Sequence, residues 1–140
     1  MSDTYSRLWV HLVWSTWRRS ATITEDIELI VHDALRHEVV RSGGRVIAIG
    51  GTHDHVHVVL WLHPGCSVAN LVRRMKVSSA RAAPDRAERT LRWQRGYAAF
   101  SLQTRALGRV AAYVNNQRAH HHVGELLDAL ERTERPLHRP

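Results

Sequence analysis

Two apolar runs, Arg45–Gly50 (RVIAIG) and His55–Leu62 (HVHVVLWL), are separated only by Gly51–Asp54. A connection that short returns a strand antiparallel to the one before it, because a parallel crossover needs about a dozen residues or more. This hairpin fixes the centre of any sheet the chain can build. On its N-terminal side Ile27, Ile30, Val31, Ala34 and Leu35 recur at helical spacing. Thr22 or Thr24 is positioned to cap that helix, Glu25 and Asp26 fall in its first turn, and Gly43-Gly44 stops it. Before it, Leu8–Ser15 (LWVHLVWS) mixes β-branched and aromatic residues as strands do. After the hairpin, Pro64-Gly65 breaks the chain and Ser67 caps a second helix striped by Val68, Leu71, Val72 and Met75. Tyr97–Leu102 (YAAFSL) reads as a short strand. A last helix runs from about Thr104 to Ala119, striped by Leu107, Val110, Ala111 and Val114, and the tail beyond His122 has room for a further short helix.

The order β-α-β-β-α-β-α, with no internal repeat and no long linker, predicts one domain over residues 1–140. Two right-handed crossovers around a central hairpin make it α+β, a ferredoxin-like antiparallel sheet with helices on one face and a C-terminal helix added.

Twenty basic residues against 13 acidic ones leave +7 with the histidines neutral. Such an excess argues for a polyanionic partner. Lys76 is the only lysine; the remaining cations are arginines, whose planar fork suits phosphate and base edges. A GC-rich genome produces the same bias. Arg73, Arg74 and Lys76, turned away from the stripe of the second helix, are candidate phosphate contacts. So are Arg86, Arg89, Arg92 and Arg95 in the polar stretch Ala82–Arg95. Trp93 has two readings, a platform for an unpaired base or a core residue. No leader peptide and no apolar run of about 20 residues is visible, so no membrane contact is expected. Cys66 stands alone and forms no internal disulfide. A cytoplasmic location, beside the nucleoid of a bacterium, is the expectation.

The run Thr52-His53-Asp54-His55-Val56-His57 carries the sharpest chemical signal. In a strand His55 and His57 share a face with Cα atoms about 7 Å apart, while Val56 points to the opposite layer. Two imidazoles so placed can converge on one cation; a chain with 11 histidines also produces such a pair by accident. A third ligand has to come from elsewhere. Tyr113 and Gln117, four residues apart, share one face of the last helix beside its apolar stripe. There they either look into a cleft or serve as a half-buried edge and a solvated amide. His53 and His63 read as turn residues and His120–His122 as a solvated helix end. No phosphate-binding glycine loop and no pair of carboxylates suited to hydrolysis is present.

Asp54-His55-Val56-His57 at the start of a strand resembles the HUH motif (His, hydrophobic, His). Trp93–Ser101 (WQRGYAAFS) and Tyr113–His121 (YVNNQRAHH) are similar to the other signatures of the small single-tyrosine HUH transposases, and Trp9–Arg18 (WVHLVWSTWR) to their first strand. That family includes insertion-sequence transposases and the transposase-like proteins associated with repetitive palindromes. The resemblance runs in order along nearly the whole chain; His53 has no counterpart in it. It implies His55, His57 and Gln117 as ligands of Mg²⁺ or Mn²⁺ and Tyr113 as the nucleophile. It further implies single-stranded DNA with hairpin ends as substrate, a 5′-phosphotyrosine intermediate, and a homodimer with active sites shared in trans. Two alternatives keep the fold: a domesticated relative that binds or processes palindromic repeats without transposition, and a nucleic-acid-binding module without catalysis.

Overall fold

The computed structural model describes residues 4–85 and 90–117. Four strands, β1 (Trp9–Ser15), β2 (Arg45–Gly51), β3 (His55–Trp61) and β4 (Ala98–Leu102), form one antiparallel sheet in the order β2-β3-β1-β4. Helices α1 (Glu25–Arg41) and α2 (Val68–Ala82) make the two crossovers, and α3 (Leu107–Asn115) follows β4. The α+β ferredoxin-like order is the one read from the hairpin and its flanking helices.

The main core lies between the sheet and the α1/α2 layer. Leu12 and Trp14 of β1 and Val56, Val58 and Leu60 of β3 meet Val31, Leu35 and Val39 of α1 and Leu71, Val72 and Met75 of α2. The stripes of both helices thus turn inwards for the most part, but Ile30, read as part of the α1 stripe, is exposed. Ser67 caps α2, its side chain accepting a hydrogen bond from the Asn70 amide at 3.2 Å. Thr24 occupies the N-cap of α1, but its hydroxyl donates to the Asp26 carboxylate rather than serving a helix amide. Gly43, at φ +85°, makes the left-handed turn that ends α1.

The two crossover helices share one face of the sheet, and α3, whose face the sequence left open, packs on the other, where Val114 joins Ala48 and Val59, with Leu107, Val110 and Ala111 around them. The reason is in β3, which is buried along nearly its whole length because both of its faces carry residues that need cover. The last helix is also shorter than its periodicity suggests. A 3₁₀ turn over Thr104–Ala106 leads in, and the helix stops at Asn115 because Asn116 leaves helical geometry at φ −103°, ψ 19°. Arg86, Arg89, His120–His122 and the tail lie outside the described residues. Among the described residues no helix is long and apolar enough to cross a membrane.

Candidate active site

The face of the sheet under α3 holds the candidate residues. Register places Val13 opposite His57 and Ser15 opposite His55, and on the other side of β3 Gly50 opposite His57. Both histidines therefore project towards α3, with their ring centroids 5.0 Å apart, while Val56 enters the main core. Tyr113 stands edge-on to His57, centroids 5.9 Å apart at 89°. Gln117, four residues further on and just beyond the end of α3, is 1% exposed. Within the single chain Tyr113 thus stands beside its own His57.

Gly50 permits that approach. A Cβ at this position would lie 1.9 Å from the Val114 carbonyl oxygen, so the α3 backbone sits directly on bare β2 backbone. Thr104 helps to anchor the lead-in, its hydroxyl accepting a hydrogen bond from the Trp9 indole N–H at 2.9 Å.

The two imidazoles are held differently. His55 Nδ1 lies 2.8 Å from Asp54 Oδ1 and 2.9 Å from Thr52 Oγ1, and Thr52 donates to the same Asp54 oxygen. A carboxylate only accepts, so His55 carries its proton on Nδ1 and presents a lone pair at Nε2. Burial opposes ionisation of Asp54, but the hydrogen bond from His55, the Arg19 guanidinium at 3.3 Å and Thr52 together hold its carboxyl well below the usual range. His57 Nδ1 lies 2.9 Å from His11 Nε2. Burial lowers His11 to about 4 and, helped by the neighbouring His55 and His11, lowers His57 to about 2. Near neutral pH both are uncharged imidazoles, the form that binds metal.

Among the described residues no group of three or more His, Cys, Asp or Glu is arranged so as to hold a metal ion by itself. A set of two imidazoles and one amide still fits a cation. His57 Nε2 and both polar atoms of the Gln117 amide are buried without a hydrogen-bond partner among the described residues. Unpartnered buried polar atoms are costly, and a bound ion would satisfy them.

The predicted nucleic-acid contacts separate into groups. Arg95 borders a small cleft with Arg19, Gln94, Tyr97 and His55. Arg92 lies over the Trp17 ring, 4.3 Å from its centroid, on a segment paired to the end of β1 through Trp17 N–H to Arg92 O at 2.7 Å. Arg73 and Arg74 are on the other side of the molecule, lining a groove between α1 and α2 with Arg41 and Arg81. Lys76 is not turned freely to solvent. Its ammonium donates to the carbonyls of Gln94 at 2.9 Å and Gly96 at 2.6 Å, and burial lowers it to about 8. Trp93 packs against the main core, edge-on to Trp14, with its indole donating to Ser79 Oγ at 3.0 Å. Of its two readings the structure favours the core residue. Sequence reasoning gave no role to His11, Arg19, Thr52, Asp54 and Gly50. The alternation of WVHLVWS, which puts His11 and Val13 on one face, was the available signal for His11.

Comparison with known proteins converges on the same group. The family model described as "Transposase IS200 like" matches residues 4–117. The ISDra2 transposase TnpA of Deinococcus radiodurans is 25% identical over 114 residues, spanning 76% of this chain and 81% of that protein. A crystal structure of a candidate transposase from D. radiodurans R1 superposes with a TM-score of 0.65 at 22% identity, covering 84% of this chain and 95% of that one. A REP-associated tyrosine transposase bound to a REP hairpin gives a TM-score of 0.65 at 13% identity, covering 87% of this chain and 75% of that one. At those identities the two structures speak for the fold. The family model, spanning β1 to Gln117, carries the assignment: this chain belongs to the IS200-like transposases, a family of DNA-processing enzymes.

Proposed function

We propose that this transposase cleaves and rejoins single-stranded DNA with Tyr113 as nucleophile, beside a divalent cation held by His55, His57 and Gln117. The observation that carries the reading is the Tyr113 ring set edge-on to His57, which with His55 forms a pair on one strand face. A tyrosine hydroxyl with a pKa near 10 is ionised in only about one molecule in a thousand at pH 7, so it needs activation. A bound Mg²⁺ or Mn²⁺ would polarise the phosphoryl oxygens and favour the phenolate. Two imidazoles among three protein donors suit Mn²⁺ better than Mg²⁺, which prefers oxygen.

Tyr113 Oη attacks phosphorus, the bond to the 3′ oxygen breaks, and the products are a 5′-phosphotyrosine and a free 3′-hydroxyl. The phosphotyrosine retains the energy of the broken diester, so a second 3′-hydroxyl can reverse the step without ATP and join a different end. Arg95 and Arg19, which line a cleft with His55, would steady the strand next to the scissile phosphate. Arg92 borders the same end of β1. Arg73 and Arg74, remote from the histidines, would add backbone contacts with strong salt dependence.

A relative of the same fold is bound to a REP hairpin, which supports hairpin DNA as the substrate here. The sheet leaves β2 and β4 as its edges, and edges need pairing or protection, which with the joining of two DNA ends motivates a homodimer with sites shared in trans. The domesticated alternative shares the chemistry; inverted repeats flanking the gene favour transposition, and solitary palindromes scattered through the genome favour the alternative.

The test is incubation with labelled single-stranded DNA carrying the sequences that flank the gene, plus Mn²⁺. An SDS-resistant protein–DNA adduct is expected, lost in Tyr113→Phe while DNA binding survives. An adduct mapped by mass spectrometry to Tyr5 or Tyr97 overturns the nucleophile. Absence of any adduct returns the chain to the non-catalytic module.

A further inference from the structure

His11 is a third imidazole on the catalytic face that the reaction above does not use. In the sheet it pairs with Val59, which makes it the diagonal neighbour of His57, paired with Val13 two residues along β1. Diagonal neighbours on one face are within reach of long side chains. The rings close that gap: His11 Nε2 lies 2.9 Å from His57 Nδ1, and the centroids are 5.2 Å apart. Both side chains are deeply buried, at 3% and 0% exposure.

Two neutral imidazoles facing each other nitrogen to nitrogen at this distance hold a single proton between them, and only two arrangements exist. If His11 donates from Nε2, His57 carries its own proton on Nε2 and has no lone pair there. If His57 donates from Nδ1, its Nε2 is bare. Only the second lets His57 Nε2 ligate a cation. His55 is already fixed in the matching form, because the Asp54 carboxylate can only accept from its Nδ1. The buried Nε2 of His57, with no hydrogen-bond partner among the described residues, is the atom left to ligate.

We propose that His11 is a positioning residue of the metal centre, accepting the Nδ1–H of His57 at its own Nε2 and so turning the His57 Nε2 lone pair towards the cation. This role rests on the assignment of His55 and His57 as ligands. His11 stands to His57 as Asp54 stands to His55, a neutral acceptor in place of a charged one. Such outer partners set the tautomer and ring orientation of a ligating histidine, and removing one typically costs about 10–100-fold in metal affinity.

Long-range ¹H–¹⁵N NMR of metal-free protein labelled in histidine reads the tautomer directly. The wild type is expected to show His57 protonated on Nδ1. His11→Phe keeps a ring of similar volume and removes the acceptor. It should release His57 from that tautomer and weaken Mn²⁺ binding in calorimetry about 10–100-fold. His11→Gln, whose amide oxygen can stand near the lost Nε2, should recover most of the affinity. A wild-type His57 protonated on Nε2 overturns the proposal without any variant being needed. A folded His11→Phe with unchanged tautomer and Mn²⁺ affinity overturns it as well. Failure of the wild type itself to bind Mn²⁺ sinks the ligand assignment instead, and is thereby told apart from failure of the His11 role.

Discussion

Gly50→Ala tests whether the contact between α3 and β2 places Tyr113, the proposed nucleophile. The new Cβ would stand 1.9 Å from the Val114 carbonyl oxygen, whereas ordinary contact begins at 3.4 Å, so the backbones must separate by about 1.5 Å. β2 is held by its ladder to β3, so α3 is the element that yields. Its grip is modest. Val114 is its one fully buried side chain among the described residues, and burying a valine stabilises by about 1.5–3 kcal/mol. Overpacking costs about 1–3 kcal/mol, the same range. The helix should therefore shift or detach while the α1/α2 core, on the far face, stays intact. Misplacing a reacting group by about 1 Å can cost about 100-fold in rate, so adduct formation should fall by about that factor. Hydrogen exchange should accelerate across Leu107–Asn115 and stay unchanged in β1 and β3. A Gly50→Ala protein that forms adduct at the wild-type rate, with α3 amides protected as before, refutes the reasoning.

His55→Ala and His57→Ala should each abolish Mn²⁺-dependent cleavage while circular dichroism stays native, since strand pairing uses the backbone; wild-type cleavage by both, or native activity unaffected by EDTA, contradicts the metal assignment. Stability of the metal-free protein should drop in acid. Exposed imidazoles take up protons near pH 6.5, whereas burial holds folded His11 to about 4 and folded His57 to about 2, so stability is lost progressively below 6.5. For His11 alone the loss by pH 4 is on the order of 3 kcal/mol. Urea melts that are flat from pH 7 to 4.5 exclude this. Mixing inactive Tyr113→Phe with inactive His57→Ala under subunit exchange should partly restore cleavage if sites are shared between chains, because a mixed pair then has one intact site. A dead mixture after verified exchange means each chain uses its own Tyr113.

Much of the architecture was legible because the hairpin at Gly51–Asp54 and the helical stripes of α1 and α2 are local patterns with one physical reading. The pairing of His55 with His57 followed from strand alternation alone, whereas helical periodicity does not place Gln117, which lies beyond the end of α3. The positions Arg73 and Lys76 show the limit of that logic. Both read as outward cations on α2, yet Lys76 is used on two carbonyls of the following loop, a partner set no helical wheel contains.

What the sequence determined by itself was thus the order of elements, the face that each strand residue takes and the family to which the motifs resemble. What only the tertiary structure decided was which faces meet. The α3 stripe shows an apolar side without saying which half of the sheet will cover it; the bare backbone at Gly50 lets it settle on β2 and β3. His11, His57 and Tyr113 come from three segments far apart in the chain, and only sheet register together with the docking of α3 brings their rings side by side. Periodicity is a property of neighbours along the backbone, whereas the protonation and orientation of an imidazole are set by whatever atom the fold places against it.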